Sequence, residues 1–332
     1  MSNIKIGITQ GDINGISYEV ILKTLEDNRI SELCTPIVYG SPKVAAYHRK
    51  MLNLNVNLNI INKAEEAQEK KSNIINCCND EIKVEVGQST PQAGEAAFKA
   101  LEKATRDLKE GKIDVLVTAP INKNNIQSES FSFPGHTEYL ENIFGEKGDA
   151  LMILANESLR IAVATGHVPI NKVSESLTKE NILNKIKQFN KSLVEDFGIF
   201  KPRIAVLGLN PHAGDKGVIG KEEEEIIAPA IKQALDEGIF CFGPHPADGF
   251  FGANGHSHYD GILAMYHDQG LIPFKTIAMD NGVNFTAGLP VVRTSPDHGT
   301  AYDLAGQNMA SENSFRQALY MAIDVYKNRQ NK

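Results

Sequence analysis

The sequence predicts an α/β protein with a largely parallel sheet, and three observations carry that prediction. Short apolar runs alternate with longer amphipathic stretches along nearly the whole chain. Gly or Pro closes many of these segments. The chain has 332 residues, 42% of them hydrophobic and 23% charged, which is too long for one ordinary core and typical of a globular protein. Two domains are therefore expected.

The elements follow in order. Residues 4–9 read as a buried strand ending at Gly11-Asp12, and residues 17–26 have helical spacing with Val20, Ile21 and Leu25 on one side. Residues 36–40 form a short strand and 42–53 a helix. The polar stretch 62–79 reads as a variable surface segment. Residues 92–110, rich in Ala, Glu, Lys and Leu, predict a helix that stops at Gly111, and Pro120 ends a strand over 115–119. Two apolar runs, 150–155 and 160–165, flank Asn156-Glu157-Ser158 as a hairpin would. Residues 178–197 form a long helix closing at Gly198, 203–209 a strand, and 222–237 a helix with Gly238 just past its end. A strand over 261–266 and a helix over 314–328 complete the series. No linker separates domains, which predicts that the chain crosses between them more than once.

Charge and cysteine content exclude several classes. A net charge of −7, from 34 basic and 41 acidic side chains, argues against broad nucleic-acid binding but not against a small anionic substrate. Cys34, Cys77, Cys78 and Cys241 show no CxxC spacing, so neither a zinc ribbon nor a thioredoxin-like motif is present. Cys77 and Cys78 read as reduced surface or edge thiols. The opening MSNIKIGITQGD lacks a basic region, a long apolar region and a cleavage site. No apolar run approaches the roughly 20 residues that span a bilayer. The expectation is a cytoplasmic protein with no membrane and no nucleic-acid partner.

Three histidines follow three predicted strands. Strand 160–165 leads into Gly166-His167, strand 203–209 into Asn210-Pro211-His212, and strand 261–266 into His267-Asp268-Gln269-Gly270. In an open parallel sheet the strand C-termini share one edge, where ligands bind. Neutral imidazole is the commonest metal ligand, and three protein ligands with an open position suit a catalytic site. A single such histidine is more often a hydrogen-bonded loop residue; three in matching positions suggest a shared metal. His245, His256 and His258 compete for the role.

A second group has anion-binding chemistry. His136-Thr137 follows Ser132-Phe133-Pro134-Gly135, Lys275 follows the His267 loop, and Asn284 and Arg293 lie in a Gly- and Pro-punctuated run. Arg offers a planar fork, Lys a point charge, Thr and Asn neutral donors. Asp248, Asp268, Asp297 and His298 add candidates for proton transfer or ligand orientation. No GxGxxG follows a strand. Pattern alone reaches a metal enzyme acting on a small anion, without a cofactor.

At these residues the chain resembles a known family. The segments ATGHVPI, GLNPHAGD, GPHPADGFF, AMYHDQGLIPFK and GLPVVRTSPDHGTAYDLAG are similar to the 4-hydroxythreonine-4-phosphate dehydrogenases of vitamin B6 biosynthesis, nearly end to end. The resemblance implies metal ligands at His167, His212 and His267, and substrate contacts at His136, Thr137, Lys275, Asn284 and Arg293. It implies two α/β/α domains around a cleft, as in isocitrate and isopropylmalate dehydrogenases, which bind NAD(P) without the usual fingerprint. On that fold the first domain is expected over 1–130 and 275–332, and the second, carrying the metal-ligand loops, over 131–274. It further implies a homodimer with the active site at its interface, and one divalent metal per site: zinc, with magnesium or cobalt as alternatives. Asp248 and Asp268 are the candidates for proton transfer. The family's first loop usually reads GDPAGIGPE; here residues 11–19 read GDINGISYE, which keeps Asp12, Gly15 and Glu19 but loses both prolines. No role is carried over for that loop.

The implied reaction is the NAD- or NADP-dependent oxidation of 4-phosphohydroxy-L-threonine at C3. Its β-keto acid product decarboxylates to 3-amino-2-oxopropyl phosphate. The competing readings are a relative acting on 4-phosphothreonate or another hydroxy acid or diol, a metal-dependent hydrolase, and a non-catalytic binding module.

Overall fold

The computed structural model describes residues 3–331 except 80 and 279. In chain order the first elements are β1 (Lys5–Thr9), α1 (Ser17–Glu26), α2 (Arg29–Leu33), β2 (Thr35–Gly40), α3 (Pro42–Met51), β3 (Leu58–Ile61), β4 (Ser72–Asn76), α4 (Pro91–Lys109), β5 (Val115–Thr118) and α5 (His136–Phe144). There follow β6 (Leu151–Ala155), β7 (Arg160–Val163), α6 (Val173–Ser176), α7 (Lys179–Glu195), β8 (Ile204–Leu207), α8 (Ala228–Asp236), β9 (Cys241–His245), α9 (Ala247–Gly252) and β10 (Gly261–Ala264). The chain ends with α10 (His267–Ala278), β11 (Val283–Ala287), β12 (Val292–Pro296) and α11 (Asn313–Gln330). A π-helical turn, Glu223–Ile227, leads into α8. Among the described residues no helix is long and apolar enough to cross a membrane.

The chain divides into two compact units, residues 1–147 with 289–326, and residues 148–288 with 327–332. In the first, six strands run in the order β3-β4-β2-β1-β5-β12, all parallel. The central strands are buried on both faces, so they read as continuous apolar runs rather than alternating ones. Their helices begin at well-made caps. Ser41 and Thr90 accept from the backbone N–H groups of Val44 and Ala93, and Pro42 and Pro91 open the first turns.

In the second unit the order is β11-β6-β7-β10-β8-β9. The β6–β7 pair is the expected antiparallel hairpin, and β11 pairs antiparallel with β6. The remaining four strands are mutually parallel. Their core is built from Leu154, Ile161, Leu207, Ile262, Leu271 and Phe274.

Two sequence expectations need correction. The stretch 62–79 is not merely surface: it contains β4, which lies between β2 and β3. Asn73 makes this polar strand tolerable, since its buried amide donates to the carbonyls of Pro36, Gln68 and Lys71. Cys77 and Cys78 are accordingly half-buried after an interior strand, and burial pushes the Cys77 thiol up to about 12. The segment after His267 is not a loop either; it forms α10, with Pro273 in its interior.

Candidate active site

The parallel set of the second unit places three histidine segments side by side. β10 is hydrogen-bonded to β7 on one side and β8 on the other, so the C-terminal ends of these strands share one edge. His167 follows β7, His212 follows β8, and His267 opens α10 directly after β10. The His167 and His267 rings lie with centroids 5.7 Å apart. His267 Nδ1 is 2.7 Å from the Asp268 carboxylate. An ionised carboxylate only accepts, so Nδ1 donates; in the neutral ring this arrangement leaves the lone pair on Nε2, where a metal can bind.

His212 is exposed and held in an unusual backbone. His212, Ala213, Gly214, Asp215, Lys216 and Gly217 all have positive φ. For a residue with a Cβ, the left-handed region costs about 1–2 kcal/mol. The buried Glu223 carboxylate opposes that cost at the loop's base, accepting from the backbone N–H groups of Leu209 and Asn210 at 2.8 and 2.7 Å. Gly214 is required here, since its φ is +78° and a Cβ would stand 2.6 Å from Glu223 Oε2.

Among the described residues, no group of three or more His, Cys, Asp or Glu side chains is gathered closely enough to hold a metal ion. The chain brings His167 and His267 together and leaves His212 on the neighbouring strand end. In kind the donors fit a divalent transition metal: exposed or half-exposed imidazoles, one with its tautomer fixed by a carboxylate. The competing histidines are differently used. His245 packs against Phe250 and Tyr259, and burial lowers its pKa. His258 is exposed.

The anion-binding candidates fall on both units. In the first, His136 and Thr137 form the first turn of α5, whose N-cap, Gly135, offers no side chain to its N–H groups. The Arg293 side chain on β12 is buried, only 3% of the residue being exposed. Its Nε and Nη2 donate to Thr118 Oγ1 at 3.0 and 2.6 Å. Burial brings its pKa down to about 10, against the opposing effect of the Glu138 carboxylate. His136 Nε2 is buried with no hydrogen-bond partner. Burial first, then the charges of Arg293 and Lys123, hold His136 well below its ordinary value, so the ring is neutral at pH 7. A buried guanidinium, a polar nitrogen without a partner and an uncapped helix start all favour an anion. In the second unit, Lys275 is exposed on α10, and Asn284 on β11 has a buried Oδ1 without a partner. Asp248 is exposed on α9, and Asp268 serves the His267 ring.

Comparison with known proteins decides the class. Residues 32–322 match the family model described as pyridoxal phosphate biosynthetic protein PdxA. The 4-hydroxythreonine-4-phosphate dehydrogenase of Bacteroides thetaiotaomicron is 60% identical over 329 residues, covering 99% of this chain and 90% of that protein. The chain belongs to the PdxA family. It is an oxidoreductase acting on a CH–OH group, with a role in pyridoxal phosphate synthesis. A crystal structure of 4-hydroxythreonine-4-phosphate dehydrogenase from Klebsiella pneumoniae superposes with a TM-score of 0.85 at 34% identity, covering 98% of each chain. A β-decarboxylating dehydrogenase from Thermococcus kodakarensis shares the fold at TM-score 0.50 and 13% identity, covering 96% of this chain and 81% of that one. The expected kinship of fold with that class of dehydrogenases is thereby met.

Sequence reading found the histidines but missed what holds them. Asn210, Gln269, Glu222 and Glu223 carry hydrogen bonds at the bases of these segments. The available signal was their immediate adjacency to the histidine motifs or, for the two glutamates, an acidic run just after a Gly-rich loop.

Proposed function

We propose that this PdxA-family member oxidises the C3 hydroxyl of 4-phosphohydroxy-L-threonine with NAD⁺ or NADP⁺. The β-keto acid then loses CO₂ to give 3-amino-2-oxopropyl phosphate. The observation that carries the substrate reading is the buried Arg293 guanidinium beside a neutral His136 whose Nε2 has no partner. An imidazole nitrogen buried without a partner is costly, and a phosphate or carboxylate oxygen placed there would meet it beside the positive charge of Arg293. Thr137 adds a hydroxyl and the start of α5 adds backbone donors. Lys275 and Asn284 supply a cation and an amide to the substrate's polar groups.

His167, His212 and His267 would hold a divalent cation, zinc first, with cobalt or magnesium as alternatives. When bound, that cation acts as a Lewis acid that makes a hydroxyl more acidic. Asp268 orients His267 through Nδ1. Asp248 is the candidate for moving a proton. The three histidine segments also expose large apolar side chains: Ile170 after His167, Val218 after His212 and Ile272 after His267, at 73%, 79% and 64%. Exposed apolar groups around a site favour burial against a partner. They support a homodimer in which both chains contribute to one metal site. The cytoplasm is the proposed location.

The test is NADH or NADPH formation from 4-phosphohydroxy-L-threonine, with 4-phosphothreonate offered in parallel. The proposal expects the first to be the better substrate by kcat/KM. Preference for phosphothreonate would overturn the substrate assignment, and turnover without any nucleotide would replace the dehydrogenase with a hydrolase.

A further inference from the structure

The three histidine segments are tied to one another by side chains that do not themselves belong to the ligand set. The His167 segment is tied to the His267 segment through Thr165, whose N–H and hydroxyl both donate to the Met265 carbonyl, at 3.2 and 2.7 Å. The His267 segment is tied to the His212 segment by Gln269. Its Oε1 accepts from Met265 N at 2.7 Å, and its Nε2 donates to the Gly208 carbonyl at 2.6 Å.

The third tie closes the ring. Asn210 Nδ2 donates to Glu223 Oε2 at 2.9 Å and to Glu222 Oε2 at 2.8 Å. Glu222 Oε1 in turn accepts from Ser174 Oγ at 2.7 Å, and Ser174 lies on α6, the short helix after the His167 segment. One amide thus spends both N–H bonds on two carboxylates, and through them joins two histidine segments.

We propose that Asn210, Gln269 and the Ser174–Glu222 pair are positioning residues that hold the His212 segment in the backbone geometry its imidazole needs to bind a metal. The proposal rests on the histidine-metal reading above. The physical reason is the strain of the His212 segment. A run of left-handed residues has no regular backbone ladder to hold it, so its geometry depends on what grips its ends. Asn210 and Glu223 grip the base, and Gln269 fixes Gly208 just before it. Gly220, at the far end, approaches the same amide so closely that a Cβ there would stand 2.4 Å from Asn210 Nδ2. Groups of this kind, one step removed from a metal, change its affinity by about 10–100-fold when lost.

The test is cobalt(II) titration of the metal-stripped full-length protein, read by visible absorption, in Asn210→Ala, Ser174→Ala and His212→Ala. Asn210→Ala is expected to bind cobalt about 10–100-fold more weakly. Ser174→Ala, at an exposed position, is expected to lose roughly twofold to tenfold. In both, the metal-free protein should melt as the wild type does, and saturating cobalt should restore kcat, because every ligand is still present. His212→Ala should not be restored. Wild-type affinity in Asn210→Ala and Ser174→Ala, alongside a defect in His212→Ala, would overturn the positioning role alone. An affinity loss matched by lower melting of the metal-free protein would also overturn it. Wild-type affinity in His212→Ala would overturn the ligand reading and the proposal with it. If Asn210→Ala does not fold, Ser174→Ala decides.

Discussion

Arg293 combines a structural cost with the binding role proposed for it. Its guanidinium is buried, its pKa is lowered by that burial, and two of its nitrogens are committed to one threonine hydroxyl. A guanidinium carries five N–H donors in a fixed planar fork, whereas an ammonium is a point charge with three. Arg293→Lys keeps the charge and loses the fork. It should raise KM for the phosphorylated substrate about 10–100-fold, the equivalent of about 1.5–3 kcal/mol for charge-assisted hydrogen bonds, with kcat changed much less. An unchanged KM in a folded variant would remove Arg293 from the substrate site. His212→Ala acts differently: it should nearly abolish turnover at any substrate concentration.

At the scale of elements, helix α3 and the loop after β1 offer a separate prediction. His48 of α3 is buried, donates Nε2–H to the Ile13 carbonyl at 2.8 Å, and stacks on Tyr18. Burial lowers its pKa from 6.5 to about 4. The unfolded chain therefore takes up this proton at a higher pH than the folded one. The stabilisation is complete above pH 6.5 and is lost as pH falls from 6.5 towards 4. Its size is on the order of 3 kcal/mol. His136 shifts in the same direction and adds to the trend. In His48→Gln the fall in melting temperature between pH 6.5 and 4 should be shallower. An unchanged slope would show that His48 titrates normally.

The same loop shows what was legible in the sequence and what was not. Helix α1 and the strand-end histidines were readable because periodicity and chain order determine them locally. The altered loop 11–19 was not, because its role is set by distant partners. Asp12 accepts from Asn125 and Tyr302, both at 2.8 Å, and Asn14 donates to Gln88 and Thr90 and accepts from Glu85. Asn14 stands where the family usually has another residue and here pins the segment before α4. Strand β4 was missed for a similar reason: Asn73 looks like a loop residue until its three carbonyl partners are known. The proposed anion site was half legible. Residue types at 136, 137 and 293 suggested it, whereas the burial of Arg293 and the orphaned Nε2 of His136 required the fold.

For the whole molecule, the parallel β7-β10-β8 strands present three histidine segments along one edge, and family membership assigns the chemistry to a CH–OH group. The central claim is that these histidines bind the cation on which dehydrogenation depends. The most direct measurement is the rate of NADH formation from 4-phosphohydroxy-L-threonine by the chelator-stripped protein, before and after adding back one divalent metal. The account predicts a rate near background after stripping, recovery on addition of zinc, cobalt or magnesium, and no recovery in His212→Ala. Full NADH formation by the stripped wild-type protein would contradict it.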